Sequence, residues 1–107
     1  MRVCREEVFA PVVVVEPYDD LQEAILRIKD SPYGLQADIF TRDIDAVFHA
    51  FDALEVGGLI VDDVLTYRAD SMPYGGIKDS GMGREGVRYV IEEITERKVL
   101  VFNLGAA

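Results

Sequence analysis

The sequence predicts an α/β fold with a three-stranded parallel sheet, flanking helices and a separate C-terminal strand. Apolar, β-branched runs alternate along the chain with segments whose apolar residues have helical spacing. The connections between them are short, which favours crossovers onto a parallel sheet. Half of the 107 residues are hydrophobic, enough to bury a core.

The first strand of this predicted sheet is the run Val12–Val15. It is apolar on both faces, which is typical of a strand buried on both sides. Pro11 and Pro17 mark its ends. A helix is expected next, because Asp20 and Glu23 resemble a capping box. Its apolar residues recur at helical spacing, namely Leu21, Ala24, Ile25 and Ile28.

The second and third strands flank a second predicted helix. The first helix should end at Ser31, since a residue before proline avoids the helical region. Residues 37–41 and 59–61 are short apolar runs that we interpret as strands. Between them, Thr41 or Asp43 is a candidate cap. The helix has an apolar stripe made of Ile44, Val47, Phe48, Phe51 and Leu54.

The C-terminal part of the chain has a different pattern. Residues 62–83 show no periodicity, and loops of that length are often functional. A last helix is expected from the spacing of Val87, Val90, Ile91 and Ile94. Residues 98–104 then form a predicted strand with two apolar faces. We therefore divide the chain into an α/β domain, residues 1–97, and a C-terminal strand with its tail, residues 98–107.

Composition excludes several classes of function. The net charge is -9, and nothing resembles the basic stripe that nucleic-acid binding requires. No apolar run reaches the roughly 18 residues of a membrane helix. One cysteine, Cys4, and one histidine, His49, allow no internal disulfide and do not favour a metal cluster. We expect a cytoplasmic protein without membrane or nucleic-acid partners.

The glycine-rich run Met72–Gly86 holds five glycines among bulky and charged residues. A flexible linker would combine glycine with serine and little else. Glycines beside bulky residues indicate close backbone approach or positive φ angles. The spacing matches neither the dinucleotide-binding glycine pattern nor a P-loop, so a free-standing nucleotide-binding domain is the weakest interpretation. We expect a shaped loop.

The same run, M-P-Y-G-G-I-K-D-S-G-M-G-R-E-G, resembles the C-terminal signature of the aldehyde dehydrogenase superfamily. Three further segments resemble motifs of that family in the same order: Glu6–Pro11, Asp30–Leu35 and Glu55–Val61. Residues 61–68 most resemble the branch that acts on small hydroxy- or phospho-aldehydes. The resemblance covers nearly all of this chain but only about the final quarter of a family member. It implies the C-terminal portion of an NAD(P)-dependent enzyme. In that portion, residues 1–97 would be part of the α/β catalytic domain, and residues 98–107 the oligomerisation strand with its tail.

The resemblance also implies roles for four residues. Glu7 matches the carboxylate that binds the ribose beside the nicotinamide. Phe9 matches the aromatic residue that packs beside the nicotinamide. Tyr74 matches an aromatic of the aldehyde channel, and Glu85 a proton relay toward the catalytic base. Each has a structural alternative: Glu7 as a solvated charge, Phe9 and Tyr74 as packing, and Glu85 as a charge stabilising a helix N-terminus.

The nucleophilic cysteine and the cofactor domain of that family have no counterpart here. The resemblance therefore implies a fragment that is inactive alone and binds no NAD or NADP by itself. We expect Cys4 to be a half-buried structural thiol and His49 a surface residue. Lys78 and Arg84 should fix the loop. Arg68 is either a solvated loop residue or an attractor of anionic aldehydes.

The alternative function is a non-catalytic association module. The two-faced apolar segment 98–104 would be a liability as a free edge strand. We expect it to mediate homo-oligomerisation, or docking onto an N-terminal aldehyde dehydrogenase part.

Overall fold

The computed structural model describes residues 2–105. Met1 and the predicted tail residues Ala106 and Ala107 lie outside this range. The chain begins with a short 3-10 helix at Arg2–Cys4. The elements that follow are α1 (Leu21–Lys29), β1 (Tyr33–Gly34), β2 (Gln36–Ile39), α2 (Ile44–Ala53), β3 (Gly58–Val61), β4 (Ile77–Lys78) and α3 (Val87–Ile94). The α/β class is confirmed.

The strands form two separate two-stranded sheets. β2 and β3 pair in parallel, from Gln36 opposite Gly58 to Ile39 opposite Val61. β1 and β4 pair antiparallel, with Tyr33 opposite Lys78. The predicted β-α-β unit around α2 is therefore present. The described residues do not form the predicted three-stranded parallel sheet. β1 and β4 have only two residues each, too few for a sequence pattern to reveal them.

The run Val12–Val15 is not a buried strand. It belongs to no strand, and its four side chains are between 44% and 84% exposed. A strand buried on both sides requires neighbouring strands on both edges and covering layers on both faces. Residues 2–105 supply none of these to the run, so its valines stay in solvent.

The predicted C-terminal strand is absent for the same reason. Residues 98–104 form no strand, and the apolar side chains among them are at least 75% exposed. Without a partner strand, the segment has no hydrogen-bonded ladder to join. Its place as an oligomerisation strand stays a prediction.

The three helices agree with the predicted spacing. Asp43 caps α2, where its carboxylate accepts from the amides of Asp45 and Ala46. Asp20 occupies the N-cap position of α1, but its side chain makes no capping bond, so the expected capping box is wrong. Glu23 is instead paired with Arg27 at 2.6 Å.

The core that these elements build is small. Ile25 of α1, Ala37 of β2 and Ala50 of α2 are its buried apolar residues. The predicted stripe of α2 faces outward in part, since Phe48 and Phe51 are more than 60% exposed. Ala50, on a different side of this helix, is buried, and α2 contacts α1. The helix therefore has apolar residues on both sides, which is typical of a helix buried all round.

The surface of the chain is large for its mass. Its accessible area is 9219 Å² and its radius of gyration 19.7 Å. A folded monomer of this size has an area of about 5,900 Å² and a radius of gyration of about 13 Å.

None of the helices in the described part combines the length and apolar character needed to cross a membrane.

Candidate active site

The glycine-rich run folds into a tight, ordered loop, as predicted. Gly81, Gly83 and Gly86 have positive φ angles, which L-residues rarely adopt. Gly57, which precedes β3, lies against this loop, and a Cβ there would collide with the carbonyl oxygen of Gly75. The backbones of the loop and of the β3 entry therefore touch directly.

Two cations hold the loop in place, as expected. Lys78 Nζ donates to the carbonyl oxygens of Lys29 and Ser31 at 2.9 and 3.1 Å, at the end of α1. Arg84 Nη1 donates to the carbonyl oxygens of Gly76 and Gly83 at 3.0 and 2.6 Å. The first contact ties the loop to α1, and the second closes the loop on itself.

The loop brings Tyr74 and Glu85 together. Their backbones form an antiparallel bridge, with N to O distances of 3.3 and 2.5 Å. Both residues line a cavity of about 270 Å³. The Glu85 carboxylate accepts from Arg68 Nη2 at 2.5 Å, and the Arg68 guanidinium lies 4.7 Å from the Tyr74 ring centroid. The sequence did not reveal this ion pair, because it depends on the path of the loop.

Glu7 and Phe9 lie apart from Tyr74 and Glu85. Glu7 lines a second cavity of about 640 Å³, which shares Leu35 and Ser80 with the smaller one. The Glu7 carboxylate has no hydrogen-bond or ion-pair partner within residues 2–105. Phe9 is 95% exposed and lines neither cavity. The structure therefore makes both side chains accessible to a group from outside the chain.

Gln36, one of the residues that line the larger cavity, has a side-chain nitrogen without a hydrogen-bond partner within residues 2–105. Gln36 Nε2 is buried and has no acceptor in the described part of the chain. A group that offers hydroxyl donors, such as the ribose of NAD(P), fits the exposed Glu7 carboxylate. The fit extends to Glu7 only, since the described chain has no glycine-rich phosphate-binding loop of its own.

Neither Cys4 nor His49 lines the cavity that Tyr74 and Glu85 share. Cys4 is exposed, so the expectation of a half-buried thiol is wrong. The reason is that its 3-10 helix buries no residue. His49 is a surface residue, as predicted. Its Nε2 lies 2.6 Å from Gln22 Oε1, which links α2 to α1.

Lys78, which ties the loop to α1, also lowers the pKa of a nearby carboxylate. The pKa of Glu55 is lowered from its ordinary value, first by the hydrogen bond from Lys78, then by the charges of Lys78 and Lys29. Lys78 Nζ lies 3.2 Å from Glu55 Oε2, and Lys29 Nζ lies 3.8 Å from Oε1. Glu55 thus adds an ionic contact to the attachment of the loop.

This contact predicts a pH-dependent contribution to stability. The folded-state pKa of Glu55 is below its ordinary value of 4.5, so its contribution is fully present above that pH. It is lost as the pH falls through the lowered pKa. In urea titrations at low salt, the difference in unfolding free energy between the wild type and Glu55→Gln should therefore shrink on acidification.

Glu96→Gln is the control, because Glu96 forms no ion pair within residues 2–105. Its difference from the wild type should be small at every pH. A Glu55→Gln difference that stays constant from pH 7 to pH 3 would contradict the prediction.

The chain resembles known proteins along nearly its whole length. Residues 1–100 match the model of the aldehyde dehydrogenase family. The chain is 53% identical to a 3-sulfolactaldehyde dehydrogenase of Priestia aryabhattai over 104 residues, which cover 97% of this chain and 22% of that protein. It is 43% identical to a lactaldehyde dehydrogenase of Methanococcus aeolicus over 97 residues, or 91% of this chain and 21% of the relative.

Solved structures agree. Aldehyde dehydrogenase 21 from Physcomitrella patens, in complex with the reaction product succinate, matches with a TM-score of 0.90 and 48% identity over 96% of this chain. The glyceraldehyde-3-phosphate dehydrogenase GapN from Methanocaldococcus jannaschii, complexed with NADP, matches with a TM-score of 0.80 and 42% identity over 85%. This chain covers 22% and 20% of those two chains.

The chain thus spans about a fifth of the length of the relatives it matches. Within that span, the identity to the relatives is high and the backbone superposes on solved enzymes. The chain belongs to the aldehyde dehydrogenase family.

Proposed function

We propose that this chain is the C-terminal part of an NAD(P)-dependent aldehyde dehydrogenase, which oxidises an aldehyde to a carboxylic acid. The observation that carries the proposal is the ordered glycine-rich loop, which joins Tyr74 and Glu85 in one backbone bridge. The order of the four sequence motifs supports the C-terminal position. The family's reaction needs a cysteine nucleophile and a cofactor domain. We infer that both belong to another part of the enzyme and that this chain is inactive alone.

Each matched residue has a role in this proposal. Glu7 accepts hydrogen bonds from ribose hydroxyls, which a carboxylate does well. Phe9 packs beside the nicotinamide, and Tyr74 lines the aldehyde channel. Glu85 passes protons toward the catalytic base. NAD or NADP, when bound, accepts the hydride; the residues of this chain bind and orient it from one side.

The substrate in this proposal is a small aldehyde with a hydroxyl or an acidic group. Relatives are named for 3-sulfolactaldehyde and lactaldehyde, and one matched enzyme was solved with succinate. Matched enzymes were solved with NADP and with NAD+, so the cofactor is one of these two. The single cysteine supports a cytoplasmic location.

Association is the second candidate function, and a specific observation favours it. The surface exceeds that of a folded monomer by roughly 3,300 Å², whereas a standard interface buries only about 800 Å² per partner. The exposed residues 12–15 and 98–104 contribute apolar side chains to this excess. We propose that the rest of an aldehyde dehydrogenase, or a second copy of this chain, covers this surface.

Reconstitution tests the proposed function. The partner is the Priestia aryabhattai relative without the segment that this chain matches. We expect no aldehyde-dependent reduction of NAD+ or NADP+ by the chain alone or by the partner alone, and turnover by the mixture. Cys4→Ser should leave this turnover unchanged. Turnover by the pure chain would contradict the proposal, as would an inactive mixture in which both parts are shown to bind.

A further inference from the structure

Glu93 lies in the last turn of α3, yet its carboxylate reaches back to the glycine-rich loop. Its Oε1 accepts from the backbone amide of Arg84 at 2.9 Å. Glu93 also lines the cavity of about 270 Å³ that Tyr74 and Glu85 share. None of the four sequence motifs includes Glu93, so its place at this cavity comes from the fold.

The loop leaves space for this carboxylate. Gly83 has a φ angle of +78°, and a Cβ there would lie 2.7 Å from both carboxylate oxygens of Glu93. The missing side chain at Gly83 thus lets the carboxylate reach the amide of the next residue, Arg84. Within residues 2–105, that amide has no other acceptor. Glu93 therefore satisfies a donor of the loop that would otherwise be left to solvent.

A solvated charge on the surface of α3 is the simpler interpretation, and the adjacent Glu92 shows that case. Glu92 is paired with Arg88 and Arg97, at 3.6 and 3.1 Å, and both arginine side chains are more than 80% exposed. Glu93 pairs with no cation in the described part of the chain. A carboxylate in the last turn of a helix is also unfavourable for the helix dipole. The needs of α3 therefore do not explain Glu93, whereas those of the loop do.

The turn that Glu93 holds leads directly into Glu85. On its far side, Glu85 exchanges backbone hydrogen bonds with Tyr74. On its near side, the chain enters from Gly83, and a residue without a Cβ permits wide backbone rotation. The bond from the Arg84 amide to Glu93 restrains this rotation, because it ties the turn to a helix. The position of Glu85 in the cavity therefore depends on Glu93.

We propose that Glu93 is a positioning residue, which holds the turn before Glu85 so that the Glu85 carboxylate lies where it can transfer a proton. The inference rests on the proposed function, in which Glu85 passes protons toward the catalytic base. Glu93 acts through its acceptor oxygen and its reach, and its charge is not required. Proton transfer needs donor and acceptor within hydrogen-bond distance, so a displaced Glu85 lowers kcat. Aldehyde binding depends less on this turn, because Tyr74 lies on the other strand of the backbone bridge.

The first test separates reach from charge in the reconstituted enzyme. Glu93→Gln keeps the side-chain length and an acceptor oxygen, so kcat should change by less than about threefold. Glu93→Asp keeps the charge but is one methylene shorter, so kcat should fall by about 10-fold to 100-fold, as in Glu93→Ala. The KM for the aldehyde should change by less than about threefold in all three variants. A loss of kcat in Glu93→Gln, or full activity in Glu93→Asp, would overturn the inference.

Glu92→Ala is the matched control for Glu93→Ala. It removes a carboxylate from the same turn of α3, and alanine suits a helix well. Because its ion pairs are exposed, kcat should change by less than about threefold. Equal losses of kcat in Glu92→Ala and Glu93→Ala would mean that the effect arises from α3 itself, and the inference would be wrong.

The second test needs no turnover. Amide hydrogen exchange of Arg84 is followed by NMR in the chain alone. Exchange requires the amide to open, so it should be at least about 10-fold faster in Glu93→Ala and Glu93→Asp than in the wild type. Glu93→Gln and Glu92→Ala should stay within about threefold of the wild type. Amides of α2 should keep their rates in every variant, which shows that the change is local.

The exchange rates also separate this inference from the proposed function. Equal exchange of the Arg84 amide in the wild type and in Glu93→Ala would overturn the inference, whatever the reconstituted enzyme does. If the enzyme reconstituted with the wild-type chain oxidises no aldehyde, the proposed function fails. The exchange measurement then decides alone whether Glu93 holds this turn.

Discussion

Gly57→Ala is expected to destabilise the fold by at least about 3 kcal/mol, at the upper end of the usual cost of overpacking. A Cβ at this position would collide with the backbone of Gly75 and lie 2.9 Å from the carbonyl oxygen of Leu35. Both obstacles are main-chain atoms, which cannot rotate away as a side chain can. The glycine-rich loop must therefore separate from the β3 entry. Urea titration followed by circular dichroism measures the loss.

Gly58→Ala is the matched control for this substitution. A Cβ there would meet only the side chain of Gln36, at 3.6 Å, an ordinary van der Waals distance. The added methyl also reduces the freedom of the unfolded chain, worth about 0.4–1 kcal/mol. Gly58→Ala should thus be neutral or slightly stabilising. Equal effects of the two substitutions would contradict the close approach of Gly57 to the loop.

Glu7→Gln should raise the KM for the cofactor by about 10-fold or more in the reconstituted enzyme. The amide keeps the shape of the side chain but loses the charge and one acceptor oxygen. Hydrogen bonds to charged groups contribute about 1.5–3 kcal/mol, which corresponds to a factor of about 10 or more in affinity. Steady-state kinetics with NAD+ and NADP+ at saturating aldehyde measure the change.

The neighbouring Glu6 provides the control. Its carboxylate is already engaged, since it accepts from Arg2 Nε and Nη2 at 3.1 and 2.9 Å. Glu6→Gln should therefore change the KM for the cofactor by less than about threefold, as expected for an exposed ion pair. If Glu6→Gln and Glu7→Gln have the same effect, the assignment of Glu7 to the ribose is wrong.

The helices and the parallel pair were predictable because their determinants are local. The spacing of Leu21, Ala24 and Ile25 defines α1 without reference to distant residues, and Asp43 lies next to the amides that it caps. β2, α2 and β3 follow one another in the sequence, so this β-α-β unit forms without residues from distant parts of the chain. Such patterns remain visible in the sequence whatever surrounds them.

The wrong predictions share a different physical cause. The valines 12–15 and the segment 98–104 have the composition of strands, but a strand forms only beside a partner. Residues 2–105 provide no such partner, so composition predicted a burial that this chain alone cannot supply. The exposed Phe48 and Phe51 of α2 reflect the same limit, since their helix is apolar on more than one side.

The candidate site was predictable in part. The motifs identified Tyr74, Glu85, Lys78 and Arg84, and the structure places all four in one loop. The contact of Arg68 with Glu85 crosses 17 residues of irregular chain. The bridge between Glu55 and Lys78 joins two different parts of the fold. No local pattern specifies either contact, because both arise from the path of the folded loop.

We propose that this chain is an incomplete part whose apolar surface is covered by the rest of an aldehyde dehydrogenase. Size-exclusion chromatography with light scattering tests this proposal on the chain alone and on its mixture with the truncated Priestia partner. The chain alone should form a species larger than the 11.9 kDa monomer. The mixture should form a stoichiometric complex. A strictly monomeric chain in both samples, at high concentration, would contradict the claim.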